Sequence, residues 1–188
     1  MGGPCYLITH PEVVVDPAVP VEEWSLSPAG RDRAAQLAAL PWAGTLDRLV
    51  SSAERKARET AEVLAAAHQL PWTVDPALGE NDRRATGFLP PEEFEAVADL
   101  FFARPGTSVR GWETAQDAQR RIVEAVRRHI SQGEDSIGFV AHGAVGTLLW
   151  CDLNGTAIDR RHDQPGQGSW YRFDPTTWTA DHGWVRIT

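Results

Sequence analysis

Ser136-Ile137-Gly138-Phe139-Val140-Ala141-His142-Gly143 holds the clearest strand in the chain. From Ile137 to Ala141 nothing polar interrupts the run, so the segment has no side to give to water. It reads as a strand buried on both faces. It stops at His142, and the apolar run Gly143–Leu153 that follows is of helical length. A doubly buried strand feeding directly into a helix is the signature of a parallel sheet covered by helices on both sides.

The segments on either side repeat the pattern. Towards the N-terminus, Thr114–Ser131 and Pro91–Phe102 read as helices, with a Pro/Gly loop between them and a polar loop over 76–91 before them. Pro71–Asp75 reads as a strand. Ala53–His68 reads as a helix, with Ala57, Ala61, Leu64 and Ala65 at helical spacing. Arg48–Ser51 is a short strand. Ser27-Pro28 opens a further helix, since serine caps well and proline suits the first helical position. Ala34, Ala35, Leu37, Ala38 and Leu40 give that helix its apolar face, and Pro41 ends it. A Pro- and Val-rich loop over 11–26 separates it from the first strand, Cys5–Thr9. Towards the C-terminus, 155–168 is loop, and Ser169–Phe173 and Trp184–Ile187 are two late strands. Strands alternating with helices predict an α/β fold, a three-layer α/β/α sandwich with a mostly parallel central sheet. With no internal repeat or linker, residues 1–188 read as one domain.

Composition limits the function. Hydrophobic residues at 42% and charged residues at 23% are ordinary for a globular protein. The net charge of -8 and the lack of a basic stripe argue against nucleic acid as a partner. No run is long enough to span a membrane, and the N-terminus lacks a basic region before an apolar stretch, so cytoplasm is the default location. Cys5 and Cys151 each sit in an apolar run and read as buried free thiols. Lys56 is the single lysine among 18 basic residues, which marks it for attention.

In parallel sheets, ligands bind beyond the carboxyl ends of strands. Two histidines stand there. His10 follows the first strand. His142 follows the 136–141 strand and precedes the helix beginning at Gly143, whose N-terminus favours an anion. Two other polar segments lie in comparable places: Ser51-Ser52-Ala53-Glu54-Arg55-Lys56-Ala57-Arg58-Glu59-Thr60-Ala61, where a strand runs into a helix, and Leu78-Gly79-Glu80 in the loop beyond the next strand.

In this order, these stretches resemble the histidine phosphatase (phosphoglycerate mutase-like) superfamily. That family has Arg-His-Gly at the first strand, Ser-Ser-x-x-x-Arg-Ala-x-x-Thr-Ala at the second, an acidic residue after the third, and His-Gly after a later strand. Ser27-Pro28-Ala29-Gly30 and Trp112-Glu113-Thr114 also fit the family layout. The resemblance implies a phosphatase acting through a phosphohistidine on His10. His142 would steady charge on the phosphoryl group, and Glu80 would be general acid and then general base. It implies a small phosphorylated metabolite or a phosphoprotein as partner, with no cofactor and no metal. Thr9, Lys56 and Gly143 fall at phosphate-binding positions.

Three positions depart from the pattern. Thr9 and Pro11 replace the arginine and glycine that flank the nucleophile, and Lys56 replaces the arginine of the helical segment. A threonine brings no charge, a proline no backbone N–H, and a lysine no bidentate fork. Arg83 or Arg84, in the same loop as Glu80, is expected to restore the missing charge, though both can equally solvate the loop. The departures leave a second reading open: a weak or inactive relative that binds a phosphorylated ligand or a protein partner. A metal-dependent hydrolase built on the same histidines is a third. The loop over 160–168 either covers the pocket and shapes substrate access or is a flexible structural loop, and Trp24, Trp112 and Trp170 either line the pocket or fill gaps.

Overall fold

The computed structural model describes residues 2–131, 133 and 135–188. Its main elements are β1 (Cys5–Thr9), α1 (Pro28–Ala38), β2 (Arg48–Ser51), α2 (Arg55–His68), β3 (Trp72–Val74), α3 (Pro91–Ala103), α4 (Ala115–Ile130), β4 (Ile137–Ala141), α5 (Gly143–Leu153), β5 (Ser169–Asp174), β6 (Thr179–Ala180) and β7 (Val185–Arg186). The sheet runs β3-β2-β4-β1-β5-β6, and β7 also pairs with β5. The first four strands in that order are mutually parallel, and β5 joins β1 antiparallel.

Alternation along the central strands makes two cores. Cys5 and Leu7 of β1, with Ile137, Phe139 and Ala141 of β4, point towards α3, α4 and α5, where Phe101, Ile122 and Leu148 pack. Tyr6, Ile8 and Val140 point the other way, towards α1 and α2, where Leu37, Ala57, Ala61 and Leu64 pack. The result is the three-layer α/β/α sandwich. Gly138 is fitted to its place in β4: a Cβ there would lie 2.6 Å from Leu49 Cδ2 and 3.0 Å from Leu46 Cδ1.

Local chemistry sets the element boundaries. Ser27 Oγ accepts the Gly30 N–H at 3.0 Å and Pro28 occupies the first turn of α1. Thr114 caps α4 through the Asp117 N–H at 3.1 Å. The helix expected from Ala53 begins at Arg55, because Ser52 Oγ takes the Glu54 N–H at 3.2 Å and holds Glu54 extended. The strand expected over 71–75 shortens to Trp72–Val74, since Asp75 turns its carboxylate onto the Ala77 N–H at 2.9 Å. The strand expected over 184–187 shortens to Val185–Arg186, and β6 is an addition. Within the 11–26 loop, a bridge between Val13 and Leu26 and a 3-10 turn over Val21–Glu23 impose order.

Cys5 and Cys151 are buried free thiols. Burial pushes the Cys5 thiol up to about 12 and raises that of Cys151. Among the described residues no helix is long and apolar enough to cross a membrane.

The start of α1 lies directly against the chain leaving the first strand. A Cβ on Gly30 would come within 2.0 Å of the Glu12 carbonyl oxygen, so the backbone itself must move to admit it. Gly30→Ala is therefore expected to cost about 1–3 kcal/mol. Urea unfolding should show a lower midpoint at an unchanged slope; an unchanged midpoint would mean that this approach carries no strain.

Candidate active site

The register of the parallel strands assembles the site. Thr9 pairs with Ala141, so the residues after them, His10 and His142, emerge side by side at the carboxyl edge. The two ring centroids are 5.2 Å apart, with planes at 63°. Ser52, after β2, is tied in by its N–H to Val140 O at 2.9 Å.

His10 is buried, at 8% exposure. Its Nδ1 lies 2.8 Å from the Pro11 carbonyl. A carbonyl only accepts, so Nδ1 carries the proton and Nε2 keeps a free lone pair. Burial and the charge on Lys56 lower the imidazole to about 4, so it stays neutral at physiological pH. His142 is more deeply buried, and burial holds it well below its ordinary value despite the nearby Glu54. Its Nε2 lies 2.8 Å from Ser52 Oγ and 3.4 Å from Glu54 Oε1. Nδ1 is buried and has no partner among the described residues.

Glu54 and Lys56 form a buried pair beneath the two rings. Lys56 Nζ donates to Glu54 Oε2 at 2.5 Å and to Val21 O at 2.7 Å. Glu54 Oε1 accepts the Glu80 N–H at 3.0 Å. Burial would raise the Glu54 carboxyl, but the Lys56 ammonium and the Glu80 N–H that bond to it outweigh burial and hold the group below its ordinary value.

Glu80 bridges to the start of α5. Its two oxygens accept the N–H groups of Ala144 at 3.2 Å and Val145 at 3.0 Å. These are free donors at a helix N-terminus, where a carboxylate is favoured. Burial still raises the carboxyl group, and neighbouring Glu54 adds to the rise. Arg121 of α4 fixes the approach of this loop: it donates to the carbonyls of Ala77 and Gly79 at 2.9 Å and Glu80 at 3.1 Å, and pairs with Glu113 at 2.8 Å.

A cavity of about 370 Å³ opens over these groups, lined by His10, Lys56, Glu80, Arg83, Gly143 and Gln164 among others. Trp24 and Trp112 line it too, whereas Trp170 packs at a tilt against Trp42 elsewhere, with centroids 4.8 Å apart. A second, larger cavity of about 990 Å³ adjoins it and shares Val21, Glu80, Asn81 and Arg83 with it.

The structure thus brings His10, Glu80, His142, Lys56, Arg83 and Gly143 to one place. Thr9 and Arg84 stand apart from the cavity. The Thr9 hydroxyl is fully buried, donates to Gln164 Oε1 at 2.7 Å and accepts the Ser169 N–H at 2.9 Å. Arg84 is exposed and paired with Asp82 at 2.5 Å, so of the two loop arginines it is Arg83 that faces the histidines. The Arg83 guanidinium lies 4.9 Å from the centre of the Phe94 ring. The 160–168 loop does cover the cavity. Arg160 clasps Glu95 and Asp99 of α3, and Gln164 lies over Gly143, where a Cβ would meet its Nε2 at 2.4 Å.

Sequence reasoning passed over two residues of this site. Glu54 stands in the 51–61 segment with no role assigned from the sequence; its one signal is its place two residues before Lys56. Gln164 belongs to the 160–168 loop, but nothing local singles it out from its neighbours.

Comparison with solved structures finds the same fold at low identity. The mycobacterial glucosyl-3-phosphoglycerate phosphatase superposes with a TM-score of 0.82 at 18% identity, covering 100% of both chains. YhfR of Bacillus stearothermophilus gives 0.81 at 23% identity, over 97% of this chain and 95% of that one. A putative alpha-ribazole-5'-P phosphatase from Escherichia coli gives 0.76 at 21% identity, covering 100% of both. No curated protein matches the sequence. The family model for the histidine phosphatase superfamily (branch 1) matches residues 7–183, so with its paired histidines at the strand ends this chain belongs to that superfamily.

Proposed function

We propose that the protein is a phosphatase that transfers the phosphoryl group of a small phosphorylated metabolite or a phosphoprotein to His10 and then to water. The observation that carries this reading is the locked His10 ring, with Nδ1 held at 2.8 Å by Pro11 O and Nε2 free beside His142. Nucleophilic catalysis by histidine needs that neutral, oriented tautomer. Nε2 attacks phosphorus as the bond to the leaving oxygen breaks, and Glu80 gives its proton to that oxygen. Glu80, now a carboxylate, then takes a proton from the water that attacks phosphorus. The P–N bond breaks, phosphate leaves, and His10 and Glu80 return to their starting states. Lys56, Arg83 and His142 steady the charge on the phosphoryl oxygens, and the α5 N-terminus at Gly143 adds its dipole.

The pH profile tests this assignment. His10 must be neutral, so kcat/KM falls as pH drops through about 4. Glu80 must be protonated, so it falls as pH rises through a carboxyl value lifted above the ordinary 4.5. Hydrolysis of a generic aryl phosphate, corrected for ionisation of the ester, should give a bell on the acid side of neutrality. A kcat/KM that climbs steadily into alkaline pH would count against Glu80 as the acid.

The Glu54–Lys56 pair and the turned-in Thr9 favour a second reading, a binder of phosphorylated ligands without turnover. That reading requires phosphate to bind while no aryl phosphate is hydrolysed at any pH.

A further inference from the structure

The charge balance of the pocket differs from what a doubly charged phosphate needs. Lys56 is matched by Glu54, whose carboxylate sits 2.5 Å from its ammonium and takes the Glu80 N–H at 3.0 Å. Position 9 carries a hydroxyl committed to Gln164 and Ser169, and it supplies no cation. Arg160 lines the cavity, but its guanidinium is engaged by Glu95 and Asp99. Both histidines are neutral. Among the described residues this leaves Arg83, lying over Phe94, as the unmatched cation facing the cavity. Asp163 also lines the cavity and lies 3.9 Å from the Arg160 guanidinium, so Arg160 has no charge to spare for a ligand.

A phosphomonoester at neutral pH carries close to two negative charges. Seating it here would leave one charge buried and unpaired beside the Glu54 carboxylate, an expensive state in a low-dielectric site. A singly charged phosphoryl group is matched by Arg83. Space agrees with charge. The two cavities share Val21, Glu80, Asn81 and Arg83 in their linings, so open volume lies on either side of these residues.

We infer that Glu54 is a specificity-determining residue that matches this site to a phosphoryl group carrying a single negative charge, either a phosphodiester or the monoanion of a phosphomonoester. The inference rests on the phosphatase reading for its chemistry. With a diester, His10 Nε2 displaces one alcohol, which leaves with the Glu80 proton. Water then cleaves the P–N bond and releases a phosphomonoester. Around Glu54 stand Lys56 from its own helix, Glu80 from the loop after β3 and His142 before α5, with His10 and Arg83 beyond them.

The test compares the wild type with Glu54→Gln at about pH 7, where a monoester is mostly dianionic. The probes are 4-nitrophenyl phosphate, its singly charged methyl diester, and inorganic phosphate. Glu54→Gln is expected to raise the monoester-to-diester ratio of kcat/KM by about tenfold or more, and to tighten inorganic phosphate in calorimetry by a similar factor. Glu54→Leu, which removes the charge and the hydrogen bond together, should shift both in the same direction. Wild-type hydrolysis of the diester that is lost in His10→Ala assigns the diester as substrate class; hydrolysis of the monoester alone assigns its monoanion. An unchanged ratio, equal losses on both esters, or phosphate binding that does not tighten overturns the inference. Absence of turnover with either ester overturns the phosphatase reading instead, and the phosphate-binding comparison still decides the role of Glu54.

Discussion

Replacing His10 by alanine removes aryl phosphate hydrolysis, lowering kcat by about 10⁴-fold or more, while the protein stays folded. The size follows from the role proposed for His10: if the ring supplies the atom that bonds to phosphorus, its loss leaves only what binding and charge stabilisation contribute. Stability should barely change, because the side-chain hydrogen bond of His10 runs to the carbonyl of the next residue and ties no distant elements together. Steady-state kinetics with thermal unfolding of both proteins checks the claim. Activity within about tenfold of the wild type would remove His10 from the chemistry.

Glu80→Gln is expected to lower kcat by about 10²–10⁴ for an alkyl phosphate, whose leaving group needs a proton, and less for a nitrophenyl phosphate, whose leaving group does not. The alkaline limb of the pH profile should vanish with it, since that limb belongs to the carboxyl group. Glutamine keeps the volume and one acceptor oxygen, so part of the clasp on the Ala144 and Val145 N–H groups survives. An equal loss on both substrates, with the alkaline limb intact, would show that Glu80 only anchors α5.

The frame of the molecule was legible because its periodicities are unambiguous. The 137–141 run, with its helix beginning at Gly143, and the Ser-Pro start of α1 appear where pattern and capping chemistry put them. Both histidines were readable for the same reason: a residue that ends a central parallel strand has one edge to occupy. What was hidden depends on pairing across the chain. Thr9 looked like a phosphate donor, yet its hydroxyl is spent on Gln164 and Ser169, partners about 160 residues away that no local pattern foretells. Glu54 carried no sequence signal of its own, because its shielding comes from the Glu80 loop and His142 closing over it. Arg83 and Arg84 are neighbours in a polar loop. Arg84 turns to its near neighbour Asp82 at the surface, whereas Arg83 lies over Phe94, a ring that only tertiary structure brings to it.

The pairing of β1 with β4 has one more consequence. These strands are far apart in the sequence, and their five matched residue pairs bring the two imidazoles together. Closing so long a loop is entropically costly and comes late in assembly. An intermediate or cleaved fragment that lacks either strand cannot present both rings, so the paired imidazoles exist only where β1 and β4 have met.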